Sequence, residues 1–129
     1  MNVCGVWQGS HCLAAAIVND DGTLRPPITV RSTPDNAGYL FDYLVIAGID
    51  TLILAECSHS LITQALARQL RVRLVPNDLL DGVRLATAIH RRPPRYTATL
   101  LARWPFTPAR SYLREFLPTP QQKNQLPLF

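Results

Sequence analysis

The stretch Thr51-Leu-Ile-Leu-Ala-Glu-Cys-Ser-His-Ser60 decides the fold class of this chain. Its first five residues are nearly all apolar, which is typical of a strand that is buried on both faces of a sheet. Glu56 ends the apolar run, and Ser58 is a suitable N-cap for a helix whose apolar spacing continues to Gln69. A buried strand that leads directly into a helix indicates an α/β protein.

The residues before this stretch predict a three-stranded antiparallel meander and one helix. Apolar runs cover residues 1–8, 11–19 and 27–32, and turn-forming residues separate them. The alanine-rich second run is also compatible with a helix, but its shortness and the flanking turns favour a strand. Thr33 then provides a helix N-cap before a proline, and Gly48 is placed to end that helix.

The residues after the stretch add a fifth strand and more helices. Residues 71–75 alternate between charged and apolar side chains, and Asn77 begins a helix that is predicted to reach about His90. Short helices are predicted at 96–104 and 109–117. Because a helix lies between each later strand and the strand before it, the last two strands should run parallel to the first.

This order of elements is that of the ribonuclease H fold. The predicted fold class is therefore α/β, with a five-stranded mixed sheet made of an antiparallel meander and two parallel strands, and with helices flanking the sheet. We expect residues 1–117 to form one such domain with a helical extension. Residues 118–129 are rich in proline and glutamine and are expected to form a flexible tail.

Composition restricts the class of protein. A chain of 129 residues with 47% hydrophobic residues can form one core, and no apolar run approaches the length of a membrane span. The first residues lack the pattern of a signal peptide, so a cytoplasmic location is expected. Three cysteines without a closely spaced pair favour reduced thiols over disulfides or a structural zinc site.

Charge is distributed unevenly along the chain. Residues 1–70 carry a net charge of −3, whereas residues 71–129 carry +7 and contain nine arginines but one lysine. Arginine in excess suits contact with phosphate, and interleaved aromatic side chains can stack on unpaired bases. A solvated basic surface or an acidic protein partner would give the same pattern. The candidate nucleic-acid contacts are Arg91, Arg92, Arg95, Tyr96, Arg103, Arg110 and Arg114.

Residues 33–85 resemble the N-terminal RuvC-like domain of DEDD-type transposases. The resemblance rests on a strand that ends in an acid, Glu56, before a small-residue turn and a helix, and on the Val75-Pro76-Asn77 turn after the next strand. It implies a nuclease that holds two divalent metals between carboxylates. One of these carboxylates lies on the first strand. The chain departs from the pattern there, because Gly5-Val6-Trp7-Gln8 stands where the family has Gly-Ile-Asp.

The later acids of the family are missing as well, since no carboxylate lies between Asp81 and Glu115. Glu56 is left as a residual catalytic candidate, and the nuclease site is expected to be inactive, with no metal cofactor. Trp7 is either a core residue or a stacking surface at the mouth of that site.

A second resemblance lies in Gln125-Leu126-Pro127-Leu128-Phe129, which matches the bacterial sliding-clamp-binding motif residue by residue. It implies that Gln125 hydrogen-bonds at the rim of the clamp pocket and that Leu128 and Phe129 fill its apolar subsites. Leu126 would support the extended peptide, and Pro127 would reduce the entropy lost on binding. The alternatives are an apolar segment docked on its own domain or on a neighbouring copy.

These observations predict a bacterial DNA replication or repair accessory protein, of a kind that a mobile element can also carry. It would bind the sliding clamp, which is the β subunit of DNA polymerase III, and DNA. One alternative is an active Mg²⁺-dependent nuclease or resolvase for branched DNA that recruits Asp20, Asp21 or Asp50. The other is a scaffold that binds only protein.

Overall fold

A computed structural model describes residues 2–86 and 93–116 of the chain. Within this part, a single sheet has the strand order β3-β2-β1-β4-β5-β6. The strands are β1 (Val3–Gln8), β2 (Cys12–Val18), β3 (Ile28–Arg31), β4 (Thr51–Ala55), β5 (Arg71–Val75) and β6 (Arg114–Glu115). Strands β1, β2 and β3 pair antiparallel, while β1 with β4 and β4 with β5 pair parallel. The predicted mixed sheet is thus confirmed.

The sixth strand corrects the prediction at the end of the domain. Residues 109–117 were predicted to be helical, but a 3-10 helix covers only Pro108–Tyr112, and β6 then pairs antiparallel with β5. The peptide N–H of Phe116 extends this pairing by donating to the carbonyl of Val72 at 2.9 Å. The outer side of β5 offers unpaired peptide N–H and C=O groups, and an extended chain can hydrogen-bond to them whereas a helical turn cannot. Residues 114–115 therefore form a strand.

Four α-helices lie in the described part of the chain, and local signals explain their ends. They are α1 (Pro34–Ile46), α2 (His59–Ala67), α3 (Asn77–Ala86) and α4 (Pro94–Arg103). The Thr33 hydroxyl accepts from the N–H of Asn36 at 3.1 Å, and Gly48 follows α1 with a φ of 80°. Helix α2 ends before the predicted Gln69, because Gln69 adopts a φ of 60°. The predicted end of α3 at His90 lies outside the described residues.

The sheet separates two apolar layers. One layer joins α1 and α2 to the sheet face that carries Val6, Leu13 and Leu54, with Phe41 and Leu44 fully buried in it. The opposite face packs against α4, Leu80 of α3 and Trp104 of the 3-10 helix Trp104–Phe106. Burial on both faces explains why Thr51–Ala55 is almost entirely apolar.

Helix α4 lies unusually close to β1 at Gly5. A Cβ atom at this position would lie 2.3 Å from the carbonyl oxygen of Ala98 and 2.4 Å from the nitrogen of Ala102. Near the other end of β1, a Cβ on Gly9 would lie 2.9 Å from Cγ of Pro94. Helix α4 therefore runs antiparallel to β1, with its first turn at the carboxyl end of that strand.

Candidate nucleic-acid interface

The candidate site lies at the carboxyl ends of the parallel strands β1, β4 and β5, which together are called the carboxyl edge of the sheet. The chain leaves β1 towards β2 on one side, whereas β4 lies on the other side. Such a change of direction is where α/β sheets bind ligands, because the connections diverge and leave a crevice. Trp7 and Gln8 end β1 at this edge, Glu56 follows β4, and Asn77 begins the helix after β5.

Trp7 occupies the first-strand position where the family resemblance expects a metal-binding aspartate. Its half-buried side chain packs against the apolar layer under α3 and α4. The guanidinium of Arg84, on α3, lies 4.6 Å from the centre of its ring. Trp7 is thus a core residue that also holds a cation on one ring face.

Glu56 lies at the predicted place, immediately after β4, but it has a basic partner. Its carboxylate accepts from the Arg114 guanidinium at 3.1 Å, and its peptide N–H donates to the carbonyl of Val75. The neighbouring N–H of Cys57 donates to the Asn77 side-chain oxygen at 3.2 Å. Arg114 was predicted to contact nucleic acid; in the structure it joins β6 to the end of β4.

The other acids proposed for a metal site lie at the amino ends of the parallel strands, away from Glu56. Asp50 precedes β4, so the length of that strand, about 20 Å, separates it from Glu56. Asp20 and Asp21 follow β2, whose end pairs with the start of β1. The Thr23 hydroxyl donates to Asp21 at 2.6 Å, and this bond lowers the pKa of Asp21.

These positions do not fit a two-metal nuclease site. Among residues 2–86 and 93–116, no group of three acidic, histidine or cysteine side chains could hold a metal ion. At the carboxyl ends of the strands, Glu56 is paired with an arginine and a tryptophan stands where a second carboxylate would be required, while Asp78 in the first turn of α3 adds one further acid.

The predicted nucleic-acid contacts fall into separate groups. Arg95 and Tyr96 lie in the first turn of α4, with the Arg95 guanidinium 5.5 Å from the Tyr96 ring centre. Arg103 ends the same helix, about 12 Å away along its axis. Arg110 lies in the 3-10 helix Pro108–Tyr112 and is exposed. Arg91 and Arg92 lie outside the described residues.

Trp104 is one of the aromatic residues that the sequence interleaves with arginines, but it is buried and cannot stack on a base. Its indole N–H donates to the carbonyl of Ala109 at 3.0 Å, which ties the end of α4 to the following 3-10 helix. The exposed aromatic side chains of this region are instead Phe106 and Tyr112, at 54% and 57% exposure. Sequence reasoning missed both, because no local pattern tells which aromatic of the segment fills the core.

Within the described residues, no helix has the length and apolar character needed to cross a membrane.

The sequence matches no known family model and no curated protein. Solved structures do match the fold. The chain is similar to Thermus thermophilus RuvC in complex with a Holliday junction substrate, with 13% identity and a TM-score of 0.63 over 90% of this chain and 99% of that chain. Another Thermus thermophilus RuvC structure gives 15% identity and a TM-score of 0.48 over 80% of this chain and 77% of that chain. The first match, with the strand order, shows a RuvC-like fold of the ribonuclease H type.

Proposed function

We propose that this protein binds DNA without cutting it and is held at sites of replication or repair by a clamp-binding peptide. The observation that carries the proposal is the state of the carboxyl edge. Arg84 lies over Trp7 and Arg114 is bound to Glu56, so arginines lie where a nuclease needs metal-binding carboxylates. Such an edge can attract phosphate but offers no set of ligands for Mg²⁺.

The basic second half of the chain supports DNA as the partner. Arg95 and Tyr96 lie near the carboxyl edge, since the neighbouring Pro94 contacts Gly9 just after β1. Arg103 and Arg110 are exposed on the segment that carries Phe106 and Tyr112. Arginines beside exposed aromatic rings suit unpaired DNA, whose phosphates and bases they contact respectively. The fold likeness to a RuvC solved with a Holliday junction points to the same class of partner.

The peptide Gln125–Phe129 supplies the second half of the proposal. Leu128 and Phe129 would bury their side chains in the apolar subsites of a bacterial sliding clamp, and Gln125 would bind at the rim. Residues 118–124 would act as the spacer between the domain and the clamp. Linkage through such a spacer gives the domain an effective concentration in the ~mM range near the DNA that the clamp encircles. Weak DNA contacts would then suffice to keep the domain on DNA.

A titration of the full chain against a bacterial sliding clamp tests this proposal. Deletion of residues 125–129, or the double substitution Leu128→Ala and Phe129→Ala, should weaken binding by about 100-fold or more, because burial of each side chain contributes about 1.5–3 kcal/mol. The matched control is Gln121→Ala with Gln122→Ala, in the spacer, which should bind as the unchanged chain does. Equal binding by the truncated chain would refute clamp recruitment.

A Mg²⁺-dependent nuclease or resolvase is the second candidate, and the likeness to a junction-bound RuvC favours it. It would have to combine Glu56 with Asp78, in the first turn of α3, or with carboxylates that lie at the amino ends of the parallel strands in this structure. It predicts cleavage of branched DNA that Glu56→Ala abolishes.

A further inference from the structure

A pocket lies at the same carboxyl edge, on the sheet face that α1 and α2 cover. Its empty space amounts to about 430 Å³, a figure that includes solvent at the open mouth. Four separate segments form it: the end of β1, the start of β2, the passage from β3 into α1, and the first turns of α2. The lining residues are Gln8, Leu13, Ser32, Thr33, Pro34, Ala37, Ser60, Leu61 and Gln64.

The lining contains no charged side chain, although charged residues are frequent elsewhere on the surface. Two amides and three hydroxyl groups surround a floor of aliphatic side chains from Leu13, Ala37 and Leu61. An anion such as phosphate would find no cationic partner among these side chains. A neutral group with flat apolar faces and a hydrogen-bonding edge suits this lining.

Two hydrogen bonds orient the amides of the lining. The Gln8 amide nitrogen donates to the Ser32 hydroxyl at 3.1 Å, which leaves the Gln8 side-chain oxygen as an acceptor. The Gln64 side-chain oxygen accepts from Arg68 at 2.7 Å, which leaves the Gln64 amide nitrogen as a donor. The lining thus offers one acceptor from the end of β1 and one donor from α2, and a base edge requires both kinds of partner.

Arg68 is itself held firmly, so the Gln64 amide has a defined orientation. Its guanidinium donates to Asp42 at 2.8 Å and to the carbonyl of Gly38 at 3.2 Å, both on α1. It also lies 6.0 Å from the centre of the Phe41 ring. This network joins α2 to α1 behind the pocket, and Arg68 acts as a positioning residue for Gln64.

From this geometry we infer that the pocket binds an unpaired nucleobase of DNA. The inference rests on the proposed DNA binding and names the structural feature of DNA that the domain recognises. Gln8 follows Trp7 and precedes Gly9, which contacts Pro94 at the start of the arginine-bearing helix α4. A strand whose phosphates lie along Arg95 could therefore place one base against Gln8 and Gln64.

The test uses the full chain and three fluorescent duplexes: one with a single unpaired adenine, one with an abasic residue at the same place, and one fully paired. The unpaired adenine should bind about 3- to 10-fold more tightly than the abasic site, the effect of one or two net hydrogen bonds. Gln64→Leu and Gln8→Leu should each reduce this preference, measured as the ratio of the two affinities in the same variant. Gln69→Leu, the same chemical change beyond the end of α2, is the matched control.

Gln8→Leu leaves the hydrogen bond between Arg68 and Gln64 in place. A loss of preference in this variant therefore reports base recognition and not altered packing of α1 on α2. If the chain binds all three duplexes equally, the base pocket is refuted while DNA binding stands. If it binds none of them at low salt, the proposed DNA binding is refuted, and the pocket inference falls with it.

Discussion

At the end of β1, the indole of Trp7 packs under the Arg84 guanidinium, so a divalent cation placed there would meet a positive charge and an apolar ring. Arg114 likewise neutralises Glu56 at the end of β4. The Arg84 guanidinium repels a metal at the end of β1, and the ion pair leaves Glu56 without a net negative charge to attract one at the end of β4. At the scale of single residues, the proposal of DNA binding without cleavage rests on these two arginines.

Glu115 gives a pH-dependent prediction, because its hydrogen bond with Arg71 lowers its pKa below the ordinary value of 4.5. A carboxyl whose pKa is lowered by folding adds stability above its unfolded pKa and loses it as the pH falls through the folded value. Urea unfolding midpoints should therefore decrease less between about pH 5 and pH 3 in Glu115→Gln than in the unchanged chain. Arg71→Gln should flatten the profile in the same way, and an unchanged slope in both variants would contradict the assignment.

Sequence reasoning placed Glu56 and Thr33 correctly, because a strand end and a helix cap depend on neighbours within a few residues. It could not tell that Trp104 is buried while Phe106 and Tyr112 are exposed, since that depends on where the 3-10 helices fold back. The partner of Glu56 could not be predicted either, because Arg114 is 58 residues away in the sequence.

Among the elements, α4 depends on the absence of a side chain at Gly5. The Cβ of an alanine there would overlap backbone atoms of Ala98 and Ala102, so the helix would have to move away from the sheet. Gly5→Ala should destabilise the protein by about 1–3 kcal/mol or more, as overpacking does, measured by urea unfolding.

The matched control is Gly82→Ala in α3, where nothing lies within 4 Å of the added Cβ. Alanine exceeds glycine in helix propensity by about 0.8–1 kcal/mol, so this variant should be as stable as the unchanged chain or more so. Equal unfolding midpoints for the two variants would show that α4 does not pack on Gly5 as described.

The elements also show where local signals fail. The helix predicted at 109–117 rested on Thr107 and Pro108, which favour any helical turn, and the structure forms a short 3-10 helix there. Strand β6 forms because the outer side of β5 is unpaired, and no pattern within residues 109–117 reveals that β5 is available as a partner. The first five strands, β1 to β5, were predictable because their apolar runs match burial on one or both faces.

For the whole molecule, the strand order brings three strand ends together, with the Trp7–Arg84 pair on the sheet face that α3 and α4 cover and the uncharged pocket on the face that α1 and α2 cover. The pocket could not be foreseen, because its lining comes from residues 8 to 64 and forms only when α1 and α2 pack together. A surface with these two faces suits the proposed binding of DNA.

Incubation of the full chain with a fluorescent four-way DNA junction tests the central claim, that the domain binds DNA and does not cut it. We predict that the junction is bound in EDTA, that binding weakens as salt is raised, and that the DNA is recovered intact after incubation with Mg²⁺. Mg²⁺-dependent cleavage that Glu56→Ala abolishes would contradict the account and establish a nuclease in its place.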